Sequence, residues 1–284
     1  MRDLNPLAVS EALETLLVAH NHRGMRNVGA ALQPGYLLRA AHMNRGCPGR
    51  AYILTGFPVA GTFETDGPAG AMALYQLLVQ HGAEPTILSD KSITDALSTD
   101  FRCIELATGT RDEIASAVSL LYRQAPPDLV ISIERPGVAA DGRCYNMAGE
   151  DISAACSSAE PYLELAACPT IAVGDGGNEL GMGKAQAALA ALNIRPAISD
   201  CDELIVADVS NWAAYALHAF VQWLDNKPQY PGLDISQALA YLVALGAVDG
   251  VTGLPTPTED GFPDNAGSHL LEETKTILTK TAAA

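Results

Sequence analysis

The sequence predicts an α/β fold, a mostly parallel sheet flanked by helices, and three observations carry that expectation. Short apolar runs recur along the chain with helical patterns between them, the alternation that builds βαβ units. Two of the runs, 129–133 and 170–173, are continuously apolar rather than alternating, as strands covered on both faces are. Three runs pass directly into polar, glycine-containing segments. In a parallel sheet those segments share the edge at the C-terminal strand ends, where open α/β sheets bind their ligands.

Residues 6–20 read as a first helix, with Asn5 as its N-cap and Pro6 at the first helical position. The N-terminal segment of about 1–46 is expected to be helical. Strands are expected at 51–56, 85–89, 101–106, 128–134, 169–174 and 203–208. Helices are expected between them at 69–81, 111–124, 158–167, 184–192 and 211–225, and two more, 234–245 and 267–280, close the chain. The stretch 246–265 is rich in Gly, Pro and Asp and reads as a long functional loop or a surface excursion. No repeat, low-complexity tract or clear linker interrupts this pattern, so 1–284 is expected to form a single α/β domain.

Composition narrows the function classes. The 284 residues are 48% hydrophobic and 18% charged, enough apolar material for a sizeable core. A formal charge of −16 argues against nucleic acid and against anionic membrane surfaces as partners, and fits a site that concentrates cations. The six cysteines show no C-x-x-C pair, which leaves buried free thiols in a reducing compartment. The N-terminus lacks the basic and apolar regions of a signal peptide, and no apolar run approaches a membrane span. A cytoplasmic protein acting on a small molecule is the expectation, with a homo-oligomer left open.

Residues 174–184, Gly-Asp-Gly-Gly-Asn-Glu-Leu-Gly-Met-Gly-Lys, carry most of the functional information. Five glycines let the backbone turn sharply and approach a ligand closely, while Asp175, Asn178, Glu179 and Lys184 bring charge and hydrogen-bonding capacity into the same turn. Neither familiar phosphate loop fits. Glu179 stands where the dinucleotide fingerprint needs its third glycine, and Asn178 and Ala185 break the P-loop spacing. No nucleotide cofactor is expected.

The other two strand ends add Glu64, Thr65 and Asp66, then Glu134, Arg135, Asp141, Arg143, Tyr145 and Asn146. Individually these have ordinary explanations: Thr65 or Asp66 as N-cap of the helix beginning near Pro68, Glu134–Arg135 as a surface ion pair, Asp141–Gly142 as a turn. Together they predict an acidic cleft. Clustered carboxylates without His or Cys suit a hard divalent cation such as Mg²⁺, Mn²⁺ or Ca²⁺, with Glu64, Asp66, Glu134, Asp175 and Glu179 as candidate ligands. Without a cation, some of them must hold protons, the state a general acid needs. Asp175, Glu179, Asp66 and Asp141 are the candidates for acid–base duty. Arg135 and Lys184 are candidate grips for a substrate carboxylate, beside Asn146, Gly176, Gly177, Asn178 and Asn211 as further binding positions. Ser210 can cap the helix that follows 203–208, with Trp212 and Tyr215 on one helical face. Residues 247–253 form either a lid over the same edge or a plain turn.

These segments, in this order, resemble the D-glutamate cyclase family. The matching runs are Thr55–Pro58 with Glu64–Pro68, Glu134–Arg135 with Ala139–Gly142 and Tyr145–Asn146, Gly174–Lys184, Val209–Trp212 with Tyr215–Leu217, and Gly246–Gly253. The similarity spans roughly residues 50–280. Ala69 departs from an expected proline and Ala213–Ala214 from expected glycines, and neither removes a charged group. The resemblance implies a lyase that dehydrates D-glutamate to 5-oxo-D-proline by intramolecular lactam formation. The residues alone also leave open a metal-dependent hydrolase acting on a small anionic substrate such as a phosphate ester, and a non-catalytic binder of a small molecule or cation.

Overall fold

Six of the apolar runs pair into one parallel sheet in the computed structural model, which describes residues 5–227 and 234–283. Residues 1–4, which begin the N-terminal run read above for a leader, lie outside the described residues, as do 228–233 and 284. The strands are β1 (Arg50–Thr55), β4 (Glu84–Ser89), β5 (Cys103–Glu105), β6 (Leu129–Ile133), β7 (Thr170–Gly174) and β8 (Glu203–Val206). A short antiparallel pair, β2 (Pro58–Val59) and β3 (Thr62–Phe63), stands apart and was not expected. Two residues per strand leave no periodicity to detect.

The sheet order is β5-β4-β1-β6-β7-β8. The chain therefore adds β4 and β5 outward on one side of β1, then returns to add β6, β7 and β8 on the other. The break between β1 and β6 is the switch point at which an open α/β sheet forms its ligand crevice. β6, β7 and β8 are buried along their whole length, as the runs 129–133 and 170–173 predict for the first two.

Eleven helices surround the sheet among the described residues. The N-terminal segment forms α1 (Pro6–Leu17), α2 (Met25–Ala31) and α3 (Tyr36–Arg45). Asn5 caps α1 as expected, its side chain accepting from Leu7 N. Then come α4 (Pro68–Gln80), α5 (Lys91–Leu97), α6 (Arg111–Gln124), α7 (Glu160–Glu164), α8 (Gln186–Leu189), α9 (Ser210–Leu224), α10 (Ile235–Ala244) and α11 (Ala266–Ala283). α5 has no counterpart among the expected helices. α8 is shorter than the expected 184–192, because residues 182–185 form a tighter 3₁₀ turn around Gly183. Helix α4 packs on β1, β4 and β6 while α9 packs on β7 and β8, and the two helices pack on each other.

The N-termini of α4 and α9 cap one another. Neither helix has a side-chain cap from its own N-cap residue, Gly67 or Val209. Asp66, just before α4, accepts from Ser210 N (3.0 Å) and Asn211 N (2.7 Å) of α9, and from Gly67 N (3.0 Å). Asn211, in α9, accepts in return from Gly67 N (2.9 Å) and Gly70 N (2.6 Å) of α4. The expected local cap on α4 is thus exchanged between helices. Asn211 also donates to Thr65 O and to Glu259.

Two predictions follow from this arrangement. Asn211→Ala leaves the buried Gly70 N–H without an acceptor and Gly67 N–H with Asp66 alone, and is expected to cost about 1–3 kcal/mol in urea denaturation. His218 of α9 is fully buried, and burial pushes its pKa down to about 4. The unfolded chain takes up that proton near pH 6.5 and the folded chain only near 4, so stability is lost as pH falls through that window. The stability advantage of the wild type over His218→Gln should shrink between about pH 7 and about pH 4.5. A constant gap in thermal melts across that range would contradict it.

Candidate active site

A cavity of about 720 Å³ opens at the C-terminal edge of the sheet, beside the switch point. Glu64, Glu134, Asp175, Asn178, Glu179 and Asn146 line it, together with three charged residues not expected from the sequence, Arg23, Glu150 and Asp260. Arg23 is the only cationic side chain among the described lining residues.

The loop after β7 holds its own carboxylate in place. Glu179 Oε1 accepts from Gly176 N at 2.7 Å and Glu179 Oε2 from Gly177 N at 2.7 Å, with Asp175 N at 3.4 Å. The glycine amides that the sequence offered to a substrate are therefore engaged by Glu179. Glycine is needed at 176 because a Cβ there would lie 2.7 Å from Asn178 Oδ1 and 2.9 Å from Glu179 Oε1. The loop after β6 pairs with this one through Gly137 N to Asn178 O and Leu180 N to Arg135 O. Glu134 leaves β6 in the left-handed region, φ 44°, a costly conformation for a side-chain-bearing residue, and its carboxylate accepts from Ser210 Oγ at 2.6 Å.

The third wall comes from residues 246–261, which supply Asp260, also left-handed at φ 52°. This loop is tied to the segment after β3 by Thr65 N to Val248 O and Thr65 Oγ1 to Thr258 O. Inside the loop, Asp249 gathers Val251 N, Thr252 N, Thr258 Oγ1 and Gly261 N. Glu259 is buried against α9, accepting from Asn211 Nδ2, Trp212 Nε1 and Tyr215 OH. Gly250 permits the closest approach, since a Cβ there would meet Glu64 Oε2 at 1.8 Å and Asp260 Oδ1 at 3.0 Å. The expected 247–253 turn is thus one side of the cleft.

Arg23 arrives from the turn between α1 and α2. Asp208, at the end of β8, fixes that turn by accepting from His20 N (2.7 Å) and Asn21 N (2.8 Å). The guanidinium Nη1 then reaches Asp175 Oδ1 and Asp260 Oδ2, each at 2.6 Å. Burial works against the Arg23 charge, and the two carboxylates more than restore it.

Burial acts strongly on the acids. It holds Glu64, Asp66 and Glu134 well above the usual carboxyl range, and neighbouring carboxylates add to the effect. Asp175 is raised by burial and drawn back by Arg23. Asp260 is pushed up to about 7 by burial and by Asp175, and Glu259 to about 7 by burial against its three hydrogen bonds. Two sets of three carboxylates, Asp66–Asp175–Asp260 and Glu134–Asp175–Glu179, bring one oxygen from each member within 4.8 Å of the others, close enough to share a metal ion.

Five expected site residues stand elsewhere. Arg135 is fully buried and paired with Asp90, with further hydrogen bonds to Gly56 O and Ser157 O, so its guanidinium ties the loops after β1, β4 and β6 rather than facing the cavity. Asp141 is exposed and accepts from Tyr145 OH and Arg143 N. Lys184 is exposed and donates to Cys201 O at 2.9 Å. Asn211 spends its amide on the helix caps and Glu259. Asp66 is buried directly behind the wall, in its capping role. Arg23 carries no local sequence signal, because 152 residues separate it from Asp175. Asp260 had one: an acidic pair, Glu259–Asp260, before a glycine in the loop already singled out.

Among the described residues no helix is long and apolar enough to cross a membrane. The human protein named "D-glutamate cyclase, mitochondrial" is 32% identical over 221 residues, 68% of this chain and 36% of the human protein, so the shared part spans about a third of that relative. A family described as "D-glutamate cyclase-like, C-terminal" matches residues 13–275. That match begins well before residue 50 and takes in the turn that carries Arg23. With every strand and every carboxylate of the cleft inside it, the chain belongs to the D-glutamate cyclase-like, C-terminal family.

Proposed function

We propose that this cleft dehydrates D-glutamate to 5-oxo-D-proline. The observation that carries the reading is a cavity in which buried carboxylates surround a single guanidinium. Such a wall suits a substrate with an ammonium group and two carboxylates, and the family and the human relative name this substrate.

The reaction rearranges atoms within one molecule. The α-nitrogen bonds to the γ-carbon, a γ-carbon–oxygen bond breaks, and water leaves. Two protons depart from nitrogen and two arrive on the leaving oxygen, so no outside reagent is needed. Groups that accept and donate protons beside the reacting atoms are needed. In this reading Arg23 grips a substrate carboxylate. Glu64 and Asp260, whose oxygens meet at Gly250, pass the protons. Asn146, whose amide closes its own turn on Ala148 and Glu150, shapes the cavity wall, and that wall holds the flexible substrate folded for ring closure, a proximity effect. Asp66, Arg135, Asp141, Lys184 and Asn211 act at a distance by fixing loops and helix ends. A hard divalent cation on the cleft carboxylates would, when bound, polarise the γ-carboxyl group.

Incubating the purified protein with D- or L-glutamate and separating products by chiral chromatography tests the reading. The expected result is 5-oxoproline from the D isomer alone. Turnover of phosphate esters without any 5-oxoproline would replace it with the hydrolase. Arg23→Ala is expected to lower kcat/KM for D-glutamate about 100-fold, the scale of one lost buried charge contact, while Lys184→Ala stays within about twofold of wild type. Equal effects of the two substitutions would remove Arg23 from its assigned role.

A further inference from the structure

The carboxylates of Glu134, Asp175 and Glu179 form one of the two acidic sets, and an acidic cluster by itself names no ligand. Two buried oxygens beside it do. Asp175 Oδ2 and Asn178 Oδ1 have no hydrogen-bond partner, their residues are 1% and 3% exposed, and both residues line the cavity. An unpartnered buried acceptor costs about 1–3 kcal/mol.

Arg23 holds Asp175 through Oδ1, and Asp66 and Asp260 stand within hydrogen-bond reach of the same carboxyl group. The orientation of the Asn178 oxygen is fixed from its far side. Asn178 Nδ2 donates to Tyr145 O at 2.8 Å. A carbonyl accepts only from the amide NH₂, so the Asn178 oxygen must face the opposite way. It faces the same space as Glu179: Asn178 Oδ1 and Glu179 Oε1 lie 2.7 and 2.9 Å from the position a Cβ on Gly176 would take. That glycine leaves a gap bordered by these two oxygens and by Met147 Sδ, 2.6 Å from the same position. Glu179 is held there by three backbone N–H groups.

We propose that Glu134, Asp175, Glu179 and Asn178 bind one hard divalent cation of the Mg²⁺ or Mn²⁺ type. All four donors are oxygens, three of them from carboxyl groups, and no imidazole or thiol competes among them, the donor set that hard cations select. The cation gives both orphaned oxygens a partner and offsets the carboxylate charge that the single Arg23 leaves over. The site opens on the cavity, so water or substrate oxygen completes the coordination.

The test is Mn²⁺ binding to the full chain after treatment with a chelator, with free Mn²⁺ followed by electron paramagnetic resonance and no substrate present. Its outcome is therefore separate from that of the cyclase assay. A single saturable Mn²⁺ per chain, displaced by Mg²⁺, is expected. Asp175→Asn and Glu134→Gln, both nearly isosteric, should weaken the dissociation constant by about tenfold or more. Gly176→Ala removes no charge but fills the gap with a methyl group, and should weaken binding as well. Asp141→Asn, an exposed carboxylate outside the set, should bind like the wild type, and circular dichroism checks that each variant is folded. Absence of saturable binding overturns the proposal. So does a dissociation constant unchanged by Asp175→Asn and Gly176→Ala, or one weakened equally by Asp141→Asn, which would mark a diffuse response to net charge.

Discussion

The structure is organised by the cost of burying negative charge at one edge of the sheet. Glu64, Asp66, Glu134, Asp175, Glu179, Glu259 and Asp260 are each no more than 8% exposed, and a carboxylate out of water is stable only when donors or counter-charges replace its hydration. Each acid is answered from a different part of the chain. Glu179 takes backbone amides of its own loop, Asp66 those at the start of α9, and Glu259 three side chains of α9. Asp175 and Asp260 share Arg23. The compensation is incomplete, and the raised pKa of Glu64, Glu134 and Asp260 is the physical record of that shortfall.

This constraint explains why the loops are knotted together as they are. A residue such as Glu134 in a left-handed conformation persists only where its surroundings over-determine it. Here those surroundings are the β1–β6 switch point, the start of α9 and the glycine loop after β7. Arg135 is the clearest case of a residue whose chemistry points to the substrate and whose position points to the frame. Its charge, buried against Asp90 and two carbonyls, holds three loops at fixed separations, and the cleft inherits its shape from them.

Most of the sheet could be read from local pattern, because strand burial on both faces writes itself into unbroken apolar runs such as 129–133. The misses were elements too short for a period to show: the β2–β3 pair and the seven-residue α5. Helix ends were harder than helix existence. α4 and α9 exchange their caps, and Asp66 and Asn211 lie 145 residues apart, so no local rule for N-caps can pair them.

Within the site, the same division holds. Sequence alone determined the carboxylates at three strand ends, since the strands are parallel and their C-terminal ends share an edge. It also determined the glycine-rich loop, since close approach of backbone to oxygen demands missing Cβ atoms. Tertiary structure alone decided which charges face the cavity and which face the frame. It turned Arg135, Lys184 and Asn211 toward other partners, and brought in Arg23 from a turn fixed by Asp208 and Asp260 from a loop fixed by Asp249. Side-chain direction depends on which distant groups compensate each buried charge, and that choice is made only when the whole chain has folded.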